Sequence, residues 1–189
     1  AITELNNNNV SAEWSNLSSN IYDYFIYETP LELESTFVHK DTNTEYKINI
    51  TGELVESSYN STIGIAPANI KSVTIGTNVT SIGDNAFDNC SQLTSITIPD
   101  RVTSIGYTAF LGCTSLTQII VDDSNPNYHD DNGILFNKNK TTLIQYPADK
   151  NESTYPVPNS VTSIDNYAFQ SFQLTSIDNP TTIDRGSSK

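Results

Sequence analysis

The stretch VTSIGDNAFDNC, Val79–Cys90, decides the fold because it recurs along the chain. It returns as VTSIGYTAFLGC at 102–113, displaced by 23 residues at every position, and most of it returns as VTSIDNYAFQSF at 161–172. A fixed internal period of this length is typical of a solenoid, whose stacked coils share one continuous core. The repeat therefore predicts a building unit and not a site that carries chemistry three times.

Each copy of the motif predicts two strands and a turn of helix. The alternation in KSVTI at 71–75 and in TSITI at 94–98 predicts a first strand with one buried face. VTSI alternates again and predicts a second short strand, while the spacing within AFDNC at 86–90 predicts a short helix. We expect positive φ at Gly83 and Gly106, where the second strand meets the helix.

The period is interrupted once, and the two ends of the repeat differ from its middle. The turn-forming segment 122–133 is followed by GILFNKNKTTLIQYP at 133–147, which predicts a β-hairpin in place of one coil's helix. TFVHKDTNTEYKINITGEL at 36–54 predicts a second hairpin that caps the first coil. The predicted segments are an N-terminal extension at 1–35 with a helix from Ser11, a hairpin cap at 36–68, a solenoid at 69–180 with an insertion at about 122–156, and a polar tail at 181–189.

The repeated pattern IP..VTSIG..AF..C..LTSI.IP, which extends over about 69–180, resembles the BspA-like leucine-rich repeat family of bacterial surfaces. Together with the repeated unit of two strands and a turn of helix, the resemblance predicts an α/β solenoid. It is a right-handed leucine-rich-repeat coil with a parallel β-sheet face, short helices on the other side and an N-terminal hairpin cap. The resemblance also implies export, surface exposure and adhesion to host or matrix proteins, and it supplies no catalytic residues.

The charge balance excludes several classes of partner. The chain has 22 acidic and 9 basic residues and a net charge of −13, so it does not attract nucleic acid or anionic lipid. No run of about 18 apolar residues could span a bilayer. Because the chain opens at Ala1 and contains no Met, we expect a leader to have been removed or omitted and the protein to be extracellular or at the cell surface. Asn179 is polar where Ile98 is apolar, which predicts the end of the stack and a monomer.

The two cysteines, Cys90 and Cys113, occupy equivalent positions in successive coils. Neighbouring strands lie about 4.8 Å apart, so a disulfide is geometrically conceivable in an exported protein. In the third copy Phe172 stands at or next to this position, and a phenyl ring fills a core position but cannot bridge. We therefore expect two buried thiols, since free cysteine is among the most often buried residue types. With no His near them in sequence, a zinc site is not expected.

Residues that could carry catalysis or bind a metal are sparse. His39 and His129 lie in no motif, so we predict no catalytic residues and no cofactor, with a hydrolase as a distant alternative. The acidic segment 122–133 contains the hard oxygen ligands that calcium prefers. Its spacing departs from the calcium-loop pattern because Tyr128 stands five residues before Gly133. Turn formation by Asn, Asp and Pro explains this segment, and we predict no metal site.

The exposed face of the predicted sheet is the candidate binding surface. Its side chains stack from coil to coil, and repeat proteins use such extended surfaces for recognition, although small β-branched polar residues also suit a solvated sheet without any partner. We predict a non-enzymatic protein that binds an extracellular protein or glycan; the alternative is a structural spacer that displays another domain. The candidate residues are Ser72, Thr74, Ser95, Thr97, Gln118 and Ile120 on the sheet, and Tyr128, His129, Asp130 and Asp131 in the insertion.

Overall fold

A computed structural model describes residues 34–170, 174–178 and 184–185. The described part is a β-solenoid of about five turns with little helix. The helix predicted from Ser11, the positions of Phe172 and Asn179, and most of the predicted tail lie outside the described residues. The handedness of the coil and the division into four segments stay predictions.

Short strands make up most of the regular secondary structure of the described residues. One helix, α1 (Glu56–Ile63), and a 3-10 turn (Pro67–Asn69) lie between the third and fourth strands, inside the segment predicted as a hairpin cap. The strands in chain order are β1 (Ser35–His39), β2 (Glu45–Ile48), β3 (Gly52–Leu54), β4 (Ile70–Thr74), β5 (Val79–Ile82), β6 (Ser95–Ile98), β7 (Ser104–Ile105), β8 (Gln118–Val121), β9 (Tyr128–Asp131), β10 (Ile134–Asn137), β11 (Thr142–Gln145), β12 (Thr154–Pro156), β13 (Ser163–Ile164), β14 (Ser176–Asp178) and β15 (Asp184–Arg185).

The first sheet has the order β2-β1-β4-β6-β8. Its last three strands are parallel, and Val73 pairs with Ile96, which in turn pairs with Ile119. The 23-residue offset predicted from the sequence is therefore confirmed as the register of this sheet. β1 and β2 form an antiparallel hairpin, and β1 also pairs antiparallel with β4. The hairpin thus adds two strands to one edge of the parallel sheet.

The second strands of the coils form two further sheets. β3, β5 and β7 are parallel neighbours, with Ile82 paired to Ile105. After the interruption, β11, β13 and β15 continue in parallel, while β10 and β9 add to the other edge of β11 in antiparallel pairs. β12 and β14 form a separate parallel pair. Stacking of coils is therefore interrupted between β7 and β11.

A column of aromatic rings crosses the first half of the core. The ring centroids of Phe37 and Tyr59 are 4.8 Å apart, those of Tyr59 and Phe87 are 6.0 Å apart, and those of Phe87 and Phe110 are 5.8 Å apart. The last two pairs are nearly parallel, and all four side chains are buried. The Tyr59 hydroxyl donates a hydrogen bond of 2.8 Å to the Ala86 carbonyl, which satisfies its buried polar end.

The repeated threonines join neighbouring coils through their side chains. The Thr94 hydroxyl donates to the carbonyl of Lys71 at 3.0 Å, and the Thr117 hydroxyl donates to the carbonyl of Thr94 at 2.9 Å. The second strands repeat the arrangement, since Thr103 donates to Thr80 at 3.2 Å. A hydroxyl directly before the strand adds a side-chain bond to the backbone ladder, which explains why Thr recurs there in both halves of the unit.

The short helices predicted after the second strand are wrong. Residues 84–89 and 107–112 are successions of turns, and the N–H of Asp88 donates to the carbonyl of Asn85 three residues earlier. Asn85 and Asn89 have φ of 55° and 58°, in the left-handed region that an α-helix cannot contain and that Asn tolerates. The turns therefore remain flat against the neighbouring coil.

The prediction of positive φ at Gly83 and Gly106 is also wrong, because neither glycine has it. A Cβ added at Gly106 would lie 2.4 Å from the backbone nitrogen of Asp84, in the coil before it. A Cβ at Gly83 would lie 2.6 Å from the Val55 side chain. These glycines are needed for the close approach of successive coils, and the positive φ lies at later residues of the turns, Asn85 and Asn89 in the first and Thr108 and Gly112 in the second.

A buried side chain, Asn125, joins the start of the insertion to the regular coils. Its amide donates to the carbonyls of Pro99 and Val102 at 2.7 and 3.0 Å, and its carbonyl accepts from the N–H groups of Asn127 and Tyr128. The residue is fully buried, so these four bonds satisfy it completely. The turn-forming composition of 122–133 gave no indication of this role.

Candidate binding surface

The six predicted sheet residues lie together on the outward face of the first sheet. Thr74 pairs with Thr97, which pairs with Ile120 in the next strand. Ser72, Ser95 and Gln118 form a second row in the same strands. Thr74, Gln118 and Ile120 are exposed, and Ile120 keeps 41% of its surface accessible.

Both rows continue into the β1–β2 hairpin, whose residues were not among those predicted for the site. Thr36 pairs with Thr74 and with Lys47, so the first row spans five strands. Val38 and Glu45 extend the second row in the same way. The alternation of TFVH and EYKI, with Phe37 buried, was the sequence signal that could have placed these residues on the face.

The chemistry of this face is polar and nearly uncharged. Its middle strands β4 and β6 present hydroxyl groups, and the edge strand β8 adds the amide of Gln118; these groups both donate and accept hydrogen bonds. Opposite charges, Lys47 and Glu45, lie at one edge, and the apolar Ile120 lies at the other. Such a face can form hydrogen bonds with a flat partner without the cost of desolvating many charges.

The other edge of the sheet, β8, is closed by the insertion. The N–H of Ile119 donates to the carbonyl of Gly133 at 2.9 Å, and the N–H of Val121 donates to the carboxylate of Asp130 at 2.8 Å. Asp130 also accepts from the N–H of Gly133 at 3.3 Å. The sheet therefore does not offer β8 as an open edge for another strand.

The remaining predicted insertion residues also make contacts within the chain. Asp131 forms an ion pair of 2.8 Å with Lys140. Tyr128 packs against the buried core that contains Ile96 and Ile119, and burial raises the pKa of its hydroxyl. His129 is half-buried and lies opposite Phe136 in the pair of β9 and β10. More of the predicted insertion side chains are therefore engaged in contacts within the chain than those of the sheet face.

Cys90 and Cys113 are free and buried, as predicted for a thiol pair. The Cys90 sulfur lies 3.9 Å from the Tyr59 hydroxyl, and the Cys113 thiol donates to the carbonyl of Phe87 at 3.2 Å. Burial raises the pKa of Cys90 to about 12 and raises the pKa of Cys113 as well. The thiols stay protonated at neutral pH and act as small apolar side chains.

The two histidines lie in different sheets, His39 in β1 and His129 in β9. Within the described ranges, no three His, Cys, Asp or Glu side chains come close enough together to hold a metal ion. Across the same ranges, no helix has the length and hydrophobicity needed to cross a membrane.

Parallel strands that repeat every 23 residues and display stacked outward rows define a leucine-rich-repeat solenoid. The chain belongs to the BspA type, since residues 66–185 match the family model described as a BspA type leucine rich repeat region with six copies. No curated protein matches the chain.

Three solved structures are similar to this chain. The pneumococcal vaccine antigen PcpA is 21% identical with a TM-score of 0.50, over 60% of this chain and 40% of that protein. A leucine-rich repeat protein from Eubacterium ventriosum is 21% identical with a TM-score of 0.38, over 82% of this chain and 60% of that one. A leucine rich cell surface protein from Faecalibacterium prausnitzii is 29% identical with a TM-score of 0.47, over 55% of this chain and 30% of that one. The likeness to PcpA supports the fold, and the chain spans less than two thirds of each of these proteins.

Proposed function

We propose that the protein is a non-enzymatic repeat protein, extracellular or exposed at the cell surface, that binds a protein partner through the outward face of the first sheet. Adhesion to a host or matrix protein is the role that this proposal favours. The observation that carries it is the unbroken outward row from Lys47 through Thr97 to Ile120 across five strands. Membership of the BspA type supports both the location and the binding role.

The size of the face sets the strength of binding that we expect. Five strands about 4.8 Å apart, each with four residues of about 3.3 Å, make a face of roughly 19 by 13 Å. Its area of roughly 250 Å² is well below the approximately 800 Å² per partner of a standard protein interface. We therefore expect weak binding from this face alone.

The test is a single substitution at the centre of the face with a matched control. Thr97→Arg places a long charged side chain between Thr74 and Ile120, which blocks a flat partner. Thr80→Arg is the control, because Thr80 is an exposed threonine in the central strand of the β3-β5-β7 sheet. The probe is an immobilised extracellular-matrix preparation, and the readout is equilibrium binding together with the midpoint of urea unfolding.

We expect Thr97→Arg to raise the dissociation constant at least about tenfold, while Thr80→Arg binds as the unsubstituted protein does. Equal binding of both variants would move the site away from the sheet face. Equal absence of binding in all three proteins would reject adhesion to matrix and favour the spacer role.

A further inference from the structure

A cleft lies where the stacking of coils is interrupted, on the turn side of the solenoid. Before the interruption, three backbone N–H groups of one turn donate to three carbonyls of the next, at 3.1, 2.8 and 2.8 Å: Asn85 to Tyr107, Phe87 to Ala109, and Asn89 to Leu111. Among the described residues, no backbone bonds of this kind join the turn at 107–112 to the next turn at 165–170. β11 is followed by Tyr146, which forms an isolated bridge with Phe169, and then by a two-residue turn at Ala148 and Asp149 in place of a six-residue turn. One turn is therefore missing from the stack, and the cleft occupies its place.

The cleft has a volume of 290 Å³. This is close to the lower limit of about 300 Å³ for small-molecule sites, which suits one or two small rings better than a segment of protein. Gly106, Tyr107 and Thr108 line one wall, Asp165, Asn166 and Tyr167 line the opposite wall, and Ile144 and Gln145 lie between them.

Two exposed tyrosines meet across the cleft. The rings of Tyr107 and Tyr167 have centroids 6.0 Å apart and planes inclined at 74°. Their side chains are 56% and 50% exposed, whereas the rings that these turns contribute to the core, Phe87 and Phe110, are buried. The tyrosine pair is therefore additional to the core packing and presents aromatic surface to solvent.

Tyr167 occupies a backbone conformation that its side chain does not favour. Its φ is 64°, and the equivalent residues of the two preceding copies, Asn85 and Thr108, have φ of 55° and 53°. Asn adopts this left-handed conformation with little strain, whereas a bulky aromatic residue there is an outlier. Because half of the Tyr167 side chain remains exposed, burial does not account for its presence. Strain of this kind is characteristic of ligand-binding positions.

The cleft contains polar side chains that keep hydrogen-bonding capacity, and no positively charged residue lines it. The side chains of Asp165 and Asn166 make no hydrogen bond with any described residue, and burial raises the pKa of the Asp165 carboxyl. The Gln145 amide donates to the carbonyls of Tyr146 and Ala168 and keeps its own carbonyl oxygen as an acceptor. Without Lys or Arg in its lining, the cleft does not suit an anion.

We propose that this cleft binds a neutral sugar residue of a glycan. The apolar face of a pyranose ring packs on a tyrosine ring, and its hydroxyl groups both donate and accept hydrogen bonds, as the carboxylate and amides of the cleft require. A cation is disfavoured because the edge of one ring covers the face of the other, so the two faces do not converge on one point. The site lies on the turn side and is independent of the sheet face proposed above.

The probes are four neutral disaccharides, lactose, maltose, mannobiose and chitobiose, with tetramethylammonium as the cationic comparison. The full chain is labelled with 3-fluorotyrosine, and the fluorine resonances of Tyr107 and Tyr167 are assigned with the two Tyr→Phe variants. Tyr167→Asn restores the residue found at the equivalent position 85, so we expect it to fold with an unchanged or higher thermal midpoint. Asn166→Ala removes an exposed amide and gives a second variant that keeps the fold.

We expect at least one disaccharide to shift both resonances in a saturable manner. Tyr167→Asn and Asn166→Ala should weaken that binding at least about tenfold, while Ile120→Thr on the sheet face leaves it unchanged. The proposal is overturned if no disaccharide shifts the two resonances, if both cleft variants bind as the unsubstituted protein does, or if only tetramethylammonium binds.

Discussion

Replacing Gly106 with Ala tests how closely the coils stack. The added Cβ would lie 2.4 Å from the Asp84 nitrogen and 2.5 Å from the Gly83 carbonyl carbon, and neither backbone atom can rotate away. Ordinary contacts begin near 3.4 Å, so the two coils must separate by about 1 Å. That separation strains the bond of 2.7 Å from the Gly106 N–H to the Ile82 carbonyl.

The expected loss of stability combines two costs. Overpacking of a well-packed site costs about 1–3 kcal/mol, and a weakened backbone hydrogen bond costs about 0.5–1.5 kcal/mol. We therefore expect Gly106→Ala to lower the free energy of unfolding by about 2–4 kcal/mol, measured by urea titration with a fixed m-value. Ser104→Ala, two residues earlier on an exposed position, should change it by less than about 0.5 kcal/mol.

Gly106→Asn separates close approach from backbone conformation. If the glycine were needed for positive φ, Asn would be tolerated better than Ala. Gly106 does not have positive φ, and any Cβ at this position would collide with the backbone of the preceding coil. We therefore expect Asn to be at least as destabilising as Ala. A loss below about 0.5 kcal/mol for Ala, or a clear advantage of Asn over Ala, would refute this explanation.

Three further predictions concern buried groups. Asn125→Ala removes the donors to Pro99 and Val102 and should cost about 2–4 kcal/mol in urea unfolding, because two carbonyls lose their partners; a cost below about 1 kcal/mol would contradict this. Tyr59→Phe should cost about 1 kcal/mol through loss of its hydroxyl bond, and an unchanged unfolding midpoint would exclude that contribution. The pKa of Cys90 is raised from its ordinary value of 9.0 to about 12, so the thiol's contribution to stability is complete below pH 9 and is lost as the pH rises toward 12. Native protein should accordingly show no thiol reactive with a disulfide reagent at pH 8, and two after denaturation; two in the native state would contradict burial.

The periodic part of the structure follows from the sequence because the residues that repeat are those that touch their equivalents in the next coil. Val73, Ile96 and Ile119 recur at a fixed interval, and their strands pair at that interval. The outward rows follow from the same alternation, so the placement of the sheet residues could be predicted without the structure. The period alone therefore fixes the register of the three parallel strands β4, β6 and β8.

Features that depend on the distance between coils could not be predicted in this way. A recurring glycine indicates either positive φ or close approach, and at Gly106 only the position of Asp84 distinguishes them. The role of Asn125 depends on carbonyls that are more than 20 residues away in sequence. The cleft between Tyr107 and Tyr167 exists because a turn is missing, and a residue pattern does not show a gap.

The most direct test of the proposed function compares the binding of Thr97→Arg and Thr80→Arg to the same immobilised matrix preparation. The two variants must have equal midpoints of urea unfolding. The two variants share net charge and residue type and differ in which sheet carries the new side chain. If the first sheet is the binding face, Thr97→Arg should bind at least about tenfold more weakly than Thr80→Arg. Equal binding by the two variants would contradict binding through the first sheet.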